Sequence, residues 1–357
     1  PQEDLDFYKR ISPTFDNKRY EIPPPNLCPP CRQQLRSCFR NERKLYSRPS
    51  SLSGKTIVAT HSPERPWPVY DQDEWWSDSW NELDYGQDFD FNKTLAEQFR
   101  ELYAKVPHIS LVNTNTENSY YTNFALNQKN CYLIFGSGDC EDCLYGKYVV
   151  SCTDCVDTLS TTACELCYEA MGCEKCYNCR YPKYCRACND CTMIQDCVGC
   201  QNCIACFGLR FKEHCFLNKQ YSPEEFKKIE NDYRELTHEK IASLKTKLKE
   251  LQKDLPHIWT HVYASENCTG DILSHSKNTH HAFNATNCED CKYMYFTPNT
   301  LHSHDCTYNA PQGPEFSYNM ISTTLLKDCM CNFLVWTGND IRYCIECHSS
   351  SNLFACT

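Results

Sequence analysis

Cysteine is the residue whose spacing in this chain speaks most directly of chemistry. From residue 131 it recurs at a fixed interval of 12: Cys131, Cys143, Cys155, Cys167, Cys179, Cys191, Cys203 and Cys215 form one column. Cys140, Cys152, Cys164, Cys176, Cys188 and Cys200 form a second, and Cys173, Cys185 and Cys197 a partial third. Only Cys206 falls outside these columns. The offset between columns makes C-x-x-C pairs recur, and zinc is held by four thiolates at about 2.3 Å. Cys140/Cys143 with Cys152/Cys155, Cys164/Cys167 with Cys176/Cys179, and Cys188/Cys191 with Cys200/Cys203 are the expected ligand sets. Disulfides, which need Cα separations of roughly 4.4–6.8 Å, and buried thiols filling a narrow core are the competing readings. Zinc is the expected cofactor. An iron–sulfur cluster is the weaker alternative, because the cluster-type run with a following proline is absent.

The elements that position these sulfurs follow from the period. An ungapped repeat implies one structural unit per period, stacked on its neighbours. The expected fold class is mainly β: two Cys-ladder β-solenoid parts of 12-residue coils, separated by a helical hairpin, with a small α+β N-terminal region. Each coil is read as two short strands and two corners, with Asp142, Asp154, Asn178, Asp190 and Asn202 turning one corner. The ladder decays in the second half. Cys288-Glu289-Asp290-Cys291 echoes Cys140-Glu141-Asp142-Cys143, and Cys344, Cys347 and Cys356 restart the spacing. Cys288, Cys291, Cys344 and Cys347 join the candidate metal ligands. His280, His281, His302 and His304 lie near these columns and read as surface or rung-edge residues, with a mixed Cys/His site as the minority reading.

Five segments result: 1–50, a half zinc-ribbon-like basic segment; 51–106, an aromatic α+β segment; 107–221, the Cys ladder; 222–256, a helical hairpin; and 257–357, the degenerate Cys/His part. In the second segment Asn92 is expected to cap a helix through about Ala104, with Leu95, Phe99 and Leu102 on one face. Its four tryptophans read as packing, with a binding surface as the alternative. Ser222-Pro223-Glu224-Glu225 is a capping box with proline at the first helical position. Ile241, Leu244, Leu248, Leu251 and Leu255 form a heptad stripe. Core packing is its expected use, and a dimer through 222–256 the alternative.

The front end carries Cys28-Pro29-Pro30-Cys31, half of a zinc ribbon, with Cys38 and His61 as candidate partners. A thioredoxin-type redox motif needs a βαβ context that the sequence does not suggest. Arg32, Arg36, Arg40, Arg43, Lys44 and Arg48 follow, so segment 32–48 could touch nucleic-acid phosphate, although a solvated helix face is the commoner meaning of such a run.

Composition narrows the classes. The chain of 357 residues holds 30 Cys and a net charge of −10, which argues against a nucleic-acid coat. No apolar run is long enough to span a bilayer, so no membrane association is expected. No secretory signal is visible, so a cytoplasmic location is expected, with the front end shortened because the chain opens on Pro1. No Ser/His/Asp order, phosphate loop or carboxylate pair stands out, so an enzyme is the least supported class.

Leu5-Asp6-Phe7-Tyr8, Cys28-Pro29-Pro30-Cys31-Arg32, Arg40-Asn41-Glu42-Arg43-Lys44-Leu45-Tyr46, Pro68-Val69-Tyr70-Asp71, Trp75-Trp76-Ser77-Asp78, Asp88-Phe89-Asp90-Phe91 and Asn218-Lys219-Gln220-Tyr221-Ser222 carry a resemblance. Through them the whole chain resembles a family of Cys-rich repeat proteins from candidate-phyla bacteria. The resemblance implies a zinc-ribbon-like front whose first C-x-x-C is missing here, and it implies no activity. The expected function is a zinc-binding structural or interaction scaffold with a protein partner. A thiol redox or metal-handling role and an RNA- or ribosome-associated role are the alternatives.

Overall fold

The structure is a computed structural model that describes residues 2–38, 41, 43–157 and 189–307, with short stretches at 322–323, 334–335, 339, 346–347 and 351–352. Among the described residues the helices are α1 (Gln2–Ile11), α2 (Pro29–Ser37), α3 (Gln72–Trp75), α4 (Leu95–Lys105), α5 (Pro223–Tyr233) and α6 (His238–Lys253). The strands gather into separate sheets of two to four strands.

The mainly β expectation is overturned. Strand accounts for 31% and helix for 24%, and the sheets are small and mostly parallel or mixed rather than parts of two solenoids. The backbone gives the physical reason. Every third residue from Asn127 to Asp157, from Asp190 to Leu217 and from Ile272 to Asp305 has positive φ. A left-handed residue bends the chain and breaks the two-residue alternation of a strand. Side chains therefore turn inward every third residue, as at Cys131, Ile134, Ser137, Cys140 and Cys143, all buried. The expected two corners per repeat are replaced by a bend at each third residue. Asn and Asp tolerate this conformation best, but Leu133, Tyr145, Tyr148 and Phe211 also adopt it, each against a cost of roughly 1–2 kcal/mol. At Gly136 and Gly199 a Cβ would collide with the rings of Tyr148 and Phe211, which lie one period further along the chain.

Most parallel partners in the repeats are offset by one full period: Ala125 with Ser137, Tyr132 with Leu144, Cys203 with Cys215, and Ala285 with Thr297; Val262 and Leu273 are 11 residues apart. Side chains repeat the offset. Asn115 donates to Asn127 at 2.8 Å, and Asn127 donates to Asp139 at 2.8 Å. A parallel ladder runs from Asn118 to Asn130 to Asp142.

The chain divides into two compact units. One comprises Pro1–Asn41, Glu82–Val106 and Thr260–Thr357; the other comprises Glu42–Asn81 and Pro107–Trp259. In the latter, strands Asn113–Glu117, Asn123–Lys129, Tyr132–Glu141 and Leu144–Lys147 form one sheet, and Gln201–Ile204, Glu213–Phe216 and Lys219–Gln220 another. Ser222 caps α5 through the expected capping box. Phe226 of α5 and Leu244 of α6 are buried against Met193, Ile204 and Ala205, with Ile241 packed beside them. The upper part of the heptad stripe is thus used for core packing within this unit. Val69–Tyr70 pairs with His108–Ile109. Around this pair Trp67, Trp75 and Trp80 pack on His108, Trp76 and Tyr70, and Trp75 Nε1 donates to the Pro107 carbonyl.

In the first unit, Val262–Tyr263, Gly270–Ser274, Ala282–Thr286 and Tyr295–Pro298 form a parallel sheet. Helix α4 is capped by Thr94 and Glu97 rather than by Asn92. Helix α1 is tied down by Lys292, which pairs with Asp4 at 2.8 Å and Glu3 at 3.2 Å, and by Phe7 stacked on His304. Helix α2 is tied down by Arg32 and Arg36, which both reach the buried Asp305. Tyr8 donates to the same carboxylate.

No helix among the described residues is long and apolar enough to cross a membrane.

Candidate functional site: one exposed dithiol and buried thiol columns

Two environments for sulfur emerge, and helix α2 builds the first. Pro29 and Pro30 suit the first helical turn, where the N–H that proline lacks would have no helical partner. Cys28 sits just before them as the N-cap, in extended conformation and with no side-chain capping bond. Cys31 lies within the first turn. The two sulfurs are 2.9 Å apart, and both residues are exposed. The inner face of the helix is fixed by Arg32 and Arg36 on Asp305, so the thiols face outward from an anchored element.

The two thiols are electrostatically unequal. Cys28 is held below the ordinary thiol range by hydrogen bonding from the Cys31 side chain and backbone, with help from the Arg32 charge. Cys31 is pushed up, because its proton serves Cys28 and a thiolate there would face another. A thiol lowered at a helix N-terminus in a C-x-x-C pair is the usual form of a reactive cysteine. Cys38, a candidate third ligand, lies past the other end of α2, where its thiol donates to the Gln34 carbonyl at 3.3 Å. His61, the other candidate, is in the second unit, where Trp67 Nε1 donates to its Nδ1 at 3.2 Å and burial lowers its pKa to about 3. Each of the two candidates is thus engaged elsewhere, Cys38 with a carbonyl of its own helix and His61 with Trp67. The basic run is also partly spent: Arg32 and Arg36 serve Asp305, and Arg48 is buried and donates to the Ser62 carbonyl. Arg43 and Lys44 stay exposed, and Arg40 lies outside the described residues.

The second environment is the columns. Cys131, Cys140, Cys143, Cys152, Cys155, Cys191, Cys197, Cys200, Cys203, Cys206 and Cys215 are all buried in one cluster with Ile134, Val149 and Ile194. Cys288, Cys291 and Cys306 are buried in the first unit. The four members of the expected set Cys140/Cys143/Cys152/Cys155 all lie in the Cys131–Cys215 cluster. Cys143 is hydrogen-bonded to Cys131, Cys140 and Cys155. Likewise Cys203 meets Cys191, Cys200 and Cys206. The three neighbouring thiols favour ionisation of Cys143 and of Cys203 over that of their partners. Cys131 and Cys140 are pushed up by hydrogen bonding to Cys143 and by burial, and burial raises Cys215 to about 11. Cys131 and Cys206 belong to these clusters although neither was an expected ligand.

Among the described residues no group of three or more His, Cys, Asp or Glu side chains is placed to hold a metal ion. Of the other expected ligands, Cys288 and Cys291 are buried free thiols that face the Thr286 and Glu289 carbonyls. Cys164, Cys167, Cys176, Cys179, Cys188 and Cys344 lie outside the described residues, and only the backbone of Cys347 is described. Asp305, the anchor of α2, carries no sequence signal beyond lying beside Cys306. No protein-family model, no curated protein and no solved structure matches the chain.

Proposed function

We propose that this is a thiol redox protein in which Cys28 and Cys31 cycle between dithiol and disulfide on a scaffold cored by inert cysteines. One observation carries the reading: two exposed sulfurs 2.9 Å apart at the start of an anchored helix. The lowered thiol, Cys28, is the attacking group. Its thiolate attacks one sulfur of an external disulfide and releases the other as a thiolate, leaving a mixed disulfide. Cys31 then loses its proton and attacks the Cys28 sulfur. The Cys28–Cys31 disulfide forms, and the second external sulfur leaves as a thiol. Two electrons pass from the pair to the external disulfide.

A zinc-binding scaffold is the second reading, and the same two thiols favour it. They would supply half of a four-ligand site. The redox reading needs only sulfurs already in contact, whereas zinc needs two more, and this favours the redox reading. Equilibration in graded thiol–disulfide buffers, followed by alkylation and peptide mass mapping, tests the choice. A reversible Cys28–Cys31 disulfide is expected, and Cys31→Ser should trap a mixed disulfide on Cys28. A pair that never oxidises, in protein whose zinc content drops on Cys28→Ser, would overturn the redox reading in favour of zinc.

A further inference from the structure

We infer that the buried cysteines of the columns are proton-bearing hydrogen-bond donors, the sulfur counterparts of serine and threonine, rather than metal ligands or disulfide halves. The first ground is a recurring contact. The thiol of each described column cysteine faces the carbonyl two residues before it: Cys131 faces Lys129 at 3.4 Å, Cys140 faces Gly138 at 3.2 Å, Cys203 faces Gln201 at 3.2 Å and Cys291 faces Glu289 at 3.2 Å. Many face a second carbonyl nine residues on, as Cys140 faces Val149 at 3.3 Å and Cys291 faces Thr300 at 3.2 Å. A thiol bears one proton for such oxygens, and a thiolate bears none, so ionisation would set negative sulfur against carbonyl lone pairs.

The second ground is substitution within the molecule itself. Ser119 stands one period before Cys131 and donates to the carbonyl two residues back, Glu117, at 2.8 Å. Ser276, Cys288 and Thr300 share one column, and each donates to the carbonyl two residues back. So do Thr279, Cys291 and Ser303 in the next. Thr279 even reaches the same second acceptor, the Cys288 carbonyl nine residues on, at 3.2 Å.

The third ground is the accepting side. Ser119 Oγ accepts the N–H of Cys131, and Ser276 Oγ accepts that of Cys288, one period on in each case. Cys131 and Cys140 meet the N–H groups of Cys143 and Cys152 in the same relation. Sulfur and hydroxyl thus hold one position with one bonding pattern. Zinc does not accept serine or threonine in place of cysteine. The pattern also bears on Cys143 and Cys203. Each faces two carbonyls like the other column thiols: Cys143 faces Glu141 at 3.3 Å and Cys152 at 3.4 Å, and Cys203 faces Gln201 at 3.2 Å and Lys212 at 3.7 Å.

The full-length protein tests this in three ways. Under native conditions, N-ethylmaleimide should label Cys28, Cys31 and Cys38 while sparing Cys131–Cys155 and Cys191–Cys215; in urea without reductant, every one of the spared positions should label. Elemental analysis after dialysis against zinc should give a metal content that Cys143→Ser and Cys203→Ser leave unchanged. Each of these serine variants should melt above its alanine counterpart, by about 2–4 °C for each kcal/mol retained by the hydroxyl bond. Zinc retained by wild type and lost on Cys143→Ser would overturn the inference, and so would column cysteines that resist labelling in urea until reduced. Neither result touches Cys28 or Cys31, so the redox reading stands or falls separately.

Discussion

Cys28-Pro29-Pro30-Cys31 and Cys140-Glu141-Asp142-Cys143 share the C-x-x-C spacing but have opposite surroundings. In the first, a helix opens between the cysteines, and both thiols stand in solvent 2.9 Å apart. In the second, left-handed Asp142 bends the chain between them, and both thiols are buried facing carbonyl oxygens. Helix-start N–H groups favour a thiolate, whereas carbonyl oxygens favour a thiol. Spacing brings two sulfurs near each other; the backbone around them decides whether either one reacts.

The largest expected effect tests what holds the exposed pair in place. Asp305→Ala would leave Arg32 and Arg36 without their shared carboxylate, and breaking a buried ion pair costs roughly 3–5 kcal/mol. Urea unfolding should show that loss, and a midpoint equal to wild type would mean that α2 needs no such anchor. Next comes the direct contrast between environments. Cys143→Ala should cost about 1–3 kcal/mol through lost packing and an unpaired carbonyl, whereas Cys28→Ala should change stability by under about 0.5 kcal/mol, as for an exposed position. Equal losses in calorimetry would erase the distinction.

Acid should weaken both units. His61 is half-buried and His304 is buried, and desolvation lowers their pKa values to about 3 and about 4. The unfolded chain binds these protons first, near pH 6.5, so the stability from keeping the rings neutral is complete above that pH. It falls as pH drops toward 4 for His304 and toward 3 for His61. Between pH 6.5 and 5 the loss should be about 1–2 kcal/mol for each ring, and His61→Phe should flatten its share of the slope in urea titrations across pH. The smallest effect concerns rate. Cys31→Ala removes the main group that lowers Cys28, so the pH midpoint for alkylating Cys28 should move up. An unmoved midpoint would assign the lowering to the helix and Arg32.

The cysteine columns made the repeat offset legible, because parallel partners such as Cys203 and Cys215 reproduce it position by position. The bend at each third residue was visible only where Asn or Asp stood at the last position of a repeat. Leu133, Tyr145 and Phe211 carry no such sign, since packing imposes left-handed geometry on side chains that do not favour it. That hidden bend is why the two-cornered coil and the mainly β class were wrong. The capping box at Ser222 was readable because it is local, while the cap at Thr94 was missed in favour of Asn92 two residues earlier. The anchoring of α2 was not readable at all: Arg32 and Asp305 are 273 residues apart, and nothing local marks them as partners. For the same reason the arginines read as a solvated helix face, with phosphate contact as the alternative.

The asparagine ladder has a direction. Asn115 hands an N–H to Asn127, Asn127 hands one to Asp139, and the carboxylate has none to pass on. Aspartate therefore terminates a relay that amides carry. Deamidation of Asn127 would convert a carrier into a second terminator and set two carboxylates face to face at the Asp139 contact. The ladder would then register chemical ageing, with thermal stability falling in step with the mass gain at Asn127 during storage.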